Sequence, residues 1–328
     1  MNYKIDLNHL RQLALVMLLS VGLLTSVQAK QANMQSEHVK LLIEQTLDVM
    51  EENYIEPQVV PQLRQIFSNR LTLGHYTNLS SIKAFAQVIG DDVRAITGDK
   101  HLSLYTLEPG EELTHILKHA EGKLTYNYSF EEVRYLSGNI GYLKFNKFHP
   151  DENARRTVDA AFQFLQNSNG LIVDLRDTLG GSPWLAQYML SYFLPMETQL
   201  WETIDSNNEI LDIIKITDKS AHTKFHGDYP VWVLTSRTTA SASELFTGVL
   251  QANHKAVVVG DITAGAGFYV GVKKITDELV FRISLSKPVI SANQQNWEKT
   301  GITPDHEVAY VDALDVAYQL SLNSGSHN

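Results

Sequence analysis

The chain has 328 residues, 44% hydrophobic and 20% charged, which marks a folded globular protein long enough to bury a large core. A formal net charge of −10, with no run of Lys and Arg, excludes a nucleic-acid-binding surface. The absence of cysteine excludes disulfides, thiol catalysis and cysteine-based metal sites.

At the N-terminus, Lys4 and Arg11 precede the apolar stretch Leu13 to Val27, and Val27-Gln28-Ala29 is a small-x-small cleavage pattern. This order describes a secretory signal peptide over residues 1–29, which sends the mature chain to the periplasm or outside the cell. The stretch is shorter than the ~20 residues of a spanning helix. No stable membrane insertion is therefore expected after its removal, and an uncleaved anchor is the alternative.

Residues 30–98 read as a small helical subdomain. Val39, Ile43, Leu47 and Met50 are spaced for one helix face, and Pro57 and Pro61 punctuate a turn. Leu63 to Leu71 resumes the helical pattern. Ser80 or Ser81 then begins a helix through Phe85, Val88, Ile89, Val93 and Ile96. Gly98-Asp99 is a turn signal, and His101 stands where that turn meets the alternating Leu102 and Leu104. Glu111 to Gly122 reads as a polar helix. Its His115 and His119 are four apart, but no adjacent Glu or third ligand completes a metal site, so no metal is expected.

From Leu124 the pattern turns to strands, LTYNYSF and VRYLSGNIGYLKFNKF, with Ser137-Gly138-Asn139 as a turn. A helix over Asp151 to Leu165 follows, then a buried-looking strand, Leu171 to Leu175. Ser182 is placed as an N-cap and Pro183 as the first residue of a helix reaching Phe193. Strands at Val231 to Thr235 and Ala256 to Val259 flank another helix. A hairpin follows, with arms Gly265 to Ile275 and Leu279 to Ser286, and then a terminal helix, Val311 to Leu320. Alternating strands and helices over residues 99–328 imply an α/β core with a substantially parallel sheet.

The chemistry gathers at the junction of PVWVLTS and TTASASELFTGVLQ, Pro230 to Gln251. A strand turning abruptly into a helix presents a hydroxyl and free backbone N–H groups at the sheet's end. Ser241 with Glu244 three residues on also reads simply as a capping box. Glycine-rich loops at Gly180-Gly181 and Gly260 to Gly267 let a backbone approach a ligand closely. No G-x-G-x-x-G opens a helix and no P-loop is present, so no nucleotide cofactor is expected. Acyl transfer needs a nucleophile, a base, an orienting group and oxyanion donors. Ser241, His101, a carboxylate and the N–H groups of Gly180 or Gly181 with Ala242 would supply them.

DLRDTLGG (174–181), TASASELFTGVLQ (239–251) and VVGDITAGAG (258–267) resemble successive blocks of the tail-specific, or C-terminal-processing, serine peptidase superfamily. NWEKTGITPDHEV (296–308) resembles its W-E-x-x-G-V-x-P-D block, and GDKHLSL (98–104) its D-G-H block. The helical N-terminus and SGNIGYLKF (137–145) resemble the interphotoreceptor-retinoid-binding-protein-like branch. The resemblance implies a crotonase/ClpP-like mixed-sheet core. The lysine that activates the serine in the processing peptidases falls in register at Ala266, while Lys273 and Lys274 lie out of register. Too little chain separates Ser103 from Leu124 for those enzymes' PDZ domain. The tricorn-like branch pairs serine with histidine and glutamate. This implies Ser241 as nucleophile, His101 as base and Glu298 as the orienting acid, directly or through another hydroxyl. Ser243 is the rival nucleophile. The implied activity is cleavage of peptides or unfolded protein segments through an acyl-enzyme, without a cofactor. The alternative is a non-catalytic module binding apolar ligands or protein.

Overall fold

The computed structural model describes residues 36–108, 110, 126–217 and 225–324. The expected signal segment and the His115/His119 pair lie outside these residues.

Three helices come first: α1 over 36–53, α2 over Val60–Thr72 and α3 over Ile82–Thr97. The Ala84 N–H donates to Ser81 Oγ to cap α3, and Gly98 ends it in the left-handed region at φ 75°. Then follow β1 (Ser103–Thr106), β2 (Phe130–Leu136), β3 (Ile140–Phe145), α4 (Ala154–Leu165), β4 (Gly170–Asp174) and α5 (Pro183–Leu190). Ser182 and Pro183 open α5 as expected. The chain continues through β5 (Gln199–Ile204), β6 (Ile210–Lys215), β7 (Val231–Thr235), α6 (Ala242–Ala252) and β8 (Val257–Gly260). It ends with β9 (Tyr269–Lys274), β10 (Leu279–Ile290), β11 (His306–Glu307) and α7 (Ala313–Ser324).

The central sheet runs β11-β8-β7-β4-β3-β2, parallel throughout except for the antiparallel β2. Side chains of β4 and β7 alternate between two cores, as the two-residue period of a strand requires. Leu171, Val173, Val231 and Val233 face α4, α5 and α6. Ile172, Trp232 and Leu234 face α7 through Ala313 and Ala317. Both faces of the sheet are covered, which explains the unbroken apolar runs.

A second, antiparallel sheet has the order β1-β10-β5-β6, with β9 also on β10. It contains the expected β9–β10 hairpin. β5 and β6 lie outside the expected elements, and β6 exposes Ile210, Leu211 and Ile213. Residues Tyr126–Ser129 form a tight turn where the alternation suggested a strand; Asn127, Tyr128 and Ser129 all have positive φ. Tyr126 is 96% exposed, while Tyr128 packs against the main core.

The helices α1–α3 pack on this second sheet. Leu42, Leu47, Phe67 and Phe85 share one interior with Leu104, Phe281 and Ile283.

Candidate active site

Ser241 ends the connection from β7 and caps α6 with φ 54° and ψ −120°. A non-glycine residue rarely adopts this backbone, which costs ~1–3 kcal/mol and persists only where its surroundings enforce it. Three elements enforce it here. The Ala240 N–H donates to Thr178 O at 3.1 Å, tying the turn to the loop after β4. The Ala264 N–H donates to Thr239 O at 2.9 Å, tying it to the loop after β8. The Ser241 N–H donates to Glu244 Oε2 at 2.8 Å, the carboxylate half of the expected capping box.

Glu244 does far more than cap. It is fully buried, and four donors converge on it. Thr263 Oγ1 and the Gly265 N–H reach Oε1, both at 2.6 Å, and the Ala266 N–H reaches Oε2 at 2.8 Å. Burial pushes its pKa up and these hydrogen bonds pull it back. One carboxylate thus fastens the glycine-rich loop to the residue that carries the hydroxyl.

Gly180 packs directly on this elbow. A Cβ there would lie 2.7 Å from both Ala240 O and Ser241 Cβ, and its φ is 101°. Gly181 has φ 125°, and a Cβ there would lie 2.2 Å from Phe148 O. Only glycine fits either position. The N–H groups of Gly180 and Gly181 donate to no backbone acceptor among the described residues. The Ala242 N–H, in the first turn of α6, has no intrahelical acceptor.

Ser241, His101, Gly180, Gly181 and Ala242 all line one cleft of about 1430 Å³. Ser243, the rival nucleophile, is fully buried, and its hydroxyl points to Thr178 O. Only Ser241 of the two lines the cleft.

His101 is 6% exposed. Burial, and secondarily the Arg282 charge, lowers its pKa to about 3, so the imidazole is neutral at pH 7. Its backbone N–H donates to Asp99 Oδ1 at 2.8 Å, and its Nδ1 stands 3.7 Å from the same oxygen. Asp99 is itself fully buried and accepts from Ser284 Oγ at 2.7 Å and Tyr54 Oη at 3.2 Å. The sequence marked this residue only as part of a turn. The D-x-H spacing within GDKHLSL was the available signal.

Glu298 lies close enough to Asp99 to feel its charge. Its Oε2 accepts the Gly267 N–H at 2.6 Å, so it braces the same loop that Glu244 holds. Its Oε1 is buried and makes no hydrogen bond. No hydrogen bond joins it to the imidazole among the described residues; the carboxylate beside His101 is that of Asp99. Burial first, and then the Asp99 charge, raises the Glu298 pKa to about 8. Among the described residues no group of three or more His, Asp or Glu could hold a metal ion.

The model of peptidase family S41 matches residues 139–308, and that of the N-terminal S41 domain of eukaryotic IRBP matches residues 28–134. Carboxyl-terminal-processing peptidase 2, chloroplastic, from Arabidopsis thaliana is 30% identical over 172 residues, covering 52% of this chain and 32% of that protein. The carboxyl-terminal-processing protease of Synechocystis sp. is 27% identical over 195 residues, covering 56% and 43%. The chain thus spans less than half the length of these relatives. Among solved structures, a lipoprotein from Streptococcus agalactiae superposes with TM-score 0.59 at 19% identity, over 87% of this chain and 96% of that one. The photosystem II D1 C-terminal processing protease gives TM-score 0.55 at 17% identity, over 83% and 93%. These two likenesses concern the fold.

Proposed function

The chain belongs to peptidase family S41, and on that premise we propose that it is a serine peptidase that cleaves peptides or unfolded protein segments through an acyl-enzyme. The observation that carries the proposal is the strained Ser241 elbow, seated on one cleft with a neutral imidazole and three backbone N–H groups. Ser241 Oγ attacks the scissile carbonyl carbon while His101 takes its proton. The oxyanion that forms is received by the N–H groups of Gly180 or Gly181 and Ala242. His101 then returns the proton to the leaving amine, and water repeats the cycle on the acyl-enzyme.

Asp99 supplies the nearer negative charge to the imidazolium. Glu298 acts through the Gly260–Gly267 loop that it braces. The Lys-dependent route of other members is not used, since Ala266 occupies that position. Export guided by residues 1–29 would place this activity in the periplasm or outside the cell. Among the described residues no helix is long and apolar enough to cross a membrane.

Ser241→Ala is expected to abolish peptide hydrolysis and labelling by a fluorophosphonate while leaving the circular dichroism spectrum unchanged. Undiminished hydrolysis would remove the nucleophile assignment. A wild-type protein that resists the label, yet binds apolar ligands with quenching of tryptophan fluorescence, would be a carrier instead.

A further inference from the structure

The helical N-terminal part sends one hydroxyl to the carboxylate beside His101. Asp99 Oδ1 faces the histidine, accepting its backbone N–H at 2.8 Å with Nδ1 at 3.7 Å. The other oxygen, Oδ2, takes two hydroxyls from distant parts of the chain. Ser284 Oγ of β10 donates at 2.7 Å, and Tyr54 Oη, in the link after α1, at 3.2 Å. Tyr54, Asp99 and Ser284 are all buried. The two donors are themselves joined, since the Ile55 N–H donates to Ser284 O at 2.9 Å. One residue further on, Glu56 pairs with Lys299 Nζ at 2.8 Å.

A carboxylate held by one oxygen alone can still swing about its terminal torsion, which has broad wells. Two bonds to the second oxygen fix its plane. Burial favours the proton on Asp99, and the hydrogen bonds from Ser284, the His101 N–H and Tyr54 oppose it. Burial first, and then the Asp99 charge, pushes the Tyr54 phenol far above its ordinary range, so it stays a donor at every working pH. A phenyl ring would fill the same space under α1. Only the hydroxyl reaches Asp99.

Resting on the peptidase reading above, we propose that Tyr54 is a positioning residue of the active site, which with Ser284 holds Asp99 Oδ2 and so turns Oδ1 toward the His101 imidazole. Tyr54 touches neither substrate nor the reacting atoms. Its effect is felt when the imidazolium forms, because a fixed, ionised Asp99 stabilises that charge. The neutral imidazole of the resting enzyme gains far less. Loss of the hydroxyl therefore falls on the chemical step and spares binding.

The test follows the rate at which a rhodamine-tagged fluorophosphonate modifies Ser241 in the full chain, from acid to neutral pH. Tyr54→Phe removes the hydroxyl and keeps the ring. Its limiting rate is expected to fall about tenfold with the half-saturating concentration unchanged, as loss of one hydrogen bond to a charged group would give. The acid limb of its profile should move up by about one pH unit, because Asp99 without that donor takes a proton sooner. Ser284→Ala, which removes the shorter bond, should move the limb further in the same direction. The other charged groups around this cluster, Glu56, Arg282, Glu298 and Lys299, are unchanged in these variants. Tyr76→Phe is the control. It deletes another tyrosine hydroxyl bonded to a carboxylate, that of Asp92, in the same helical part. It should change neither the rate nor the limb. All four proteins are compared below the onset of their thermal melts.

A Tyr54→Phe protein with the limiting rate and acid limb of the wild type would overturn the positioning role. So would a Tyr76→Phe protein that loses as much as Tyr54→Phe, since the effect would then be that of loosened helices. Either result leaves the peptidase reading intact. Failure of the unmutated protein both to take the label and to cleave fluorescein-labelled casein would sink both.

Discussion

Glu244 meets only donors: one hydroxyl and three backbone N–H groups. An amide offers one acceptor oxygen and one NH2, so in Glu244→Gln the NH2 must face at least one of the backbone N–H donors. The expected result is a stability loss of ~1–3 kcal/mol for each donor left unsatisfied. Activity should fall mainly in kcat, because the loop and the elbow lose their common tie. Wild-type melting and turnover in this variant would refute that account.

Two titrations with overlapping windows are predicted to oppose each other. The His101 pKa falls from 6.5 to about 3 on folding, so between those values the unfolded chain binds the extra proton and stability drops as pH is lowered. The Glu298 pKa rises from 4.5 to about 8, so the folded chain holds the extra proton and stability drops as pH is raised through that window. Denaturant melts of Glu298→Gln should therefore lose less stability than wild type between pH 4.5 and 8. Identical slopes would contradict the raised pKa. Ser241 and the two glycines were legible from local motifs. The tie through Glu244 was not, since its loop partners lie 19 to 22 residues away in sequence.

At the scale of elements, the strand-elbow-helix unit of β7 and α6 works only if the loop after β4 can approach its backbone. Gly180→Ala would force a Cβ to within 2.7 Å of Ala240 O and Ser241 Cβ. It would also keep an L-residue at φ 101°, a strain of ~1–3 kcal/mol. The elbow must shift to admit it, and a misplacement of this order can cost ~100-fold in rate. Steady-state kinetics of a folded Gly180→Ala protein measures this; full activity would show that the elbow tolerates displacement. The parallel strands β4 and β7 were readable because burial on both faces writes an apolar run into the sequence. The β5–β6 hairpin was less so, because β6 exposes most of the Ile and Leu side chains it carries and shows no strict alternation. Tyr126 to Ser129 misled for another reason: the apolar side chains alternate, but three successive residues with positive φ turn the backbone out of the extended form.

At the scale of the molecule, the sequence separated helices before residue 99 from an α/β core after it. The packing joins them: α1–α3 and the strands β1 and β10 bury a common set of side chains. Tyr54 in the link after α1 and Ser284 in β10 both bond Asp99. A chain beginning at residue 99 would expose Leu102, Leu104, Phe281 and Ile283, a large apolar patch. Such a fragment is expected to aggregate or to bind hydrophobic dyes strongly. A soluble fragment with a single cooperative melt would establish the boundary as a true domain edge.

β10 is 12 residues long, roughly 40 Å of strand at ~3.4 Å per residue. Its first residues pair with β1, which follows the His101 turn, and its last four pair with β5 of the outer hairpin. Ser284, midway, grips Asp99. It is therefore a tie-rod between the outer rim of the protein and its imidazole. Traction on β6 would thus load the strand that carries Ser284, the residue bonded to Asp99.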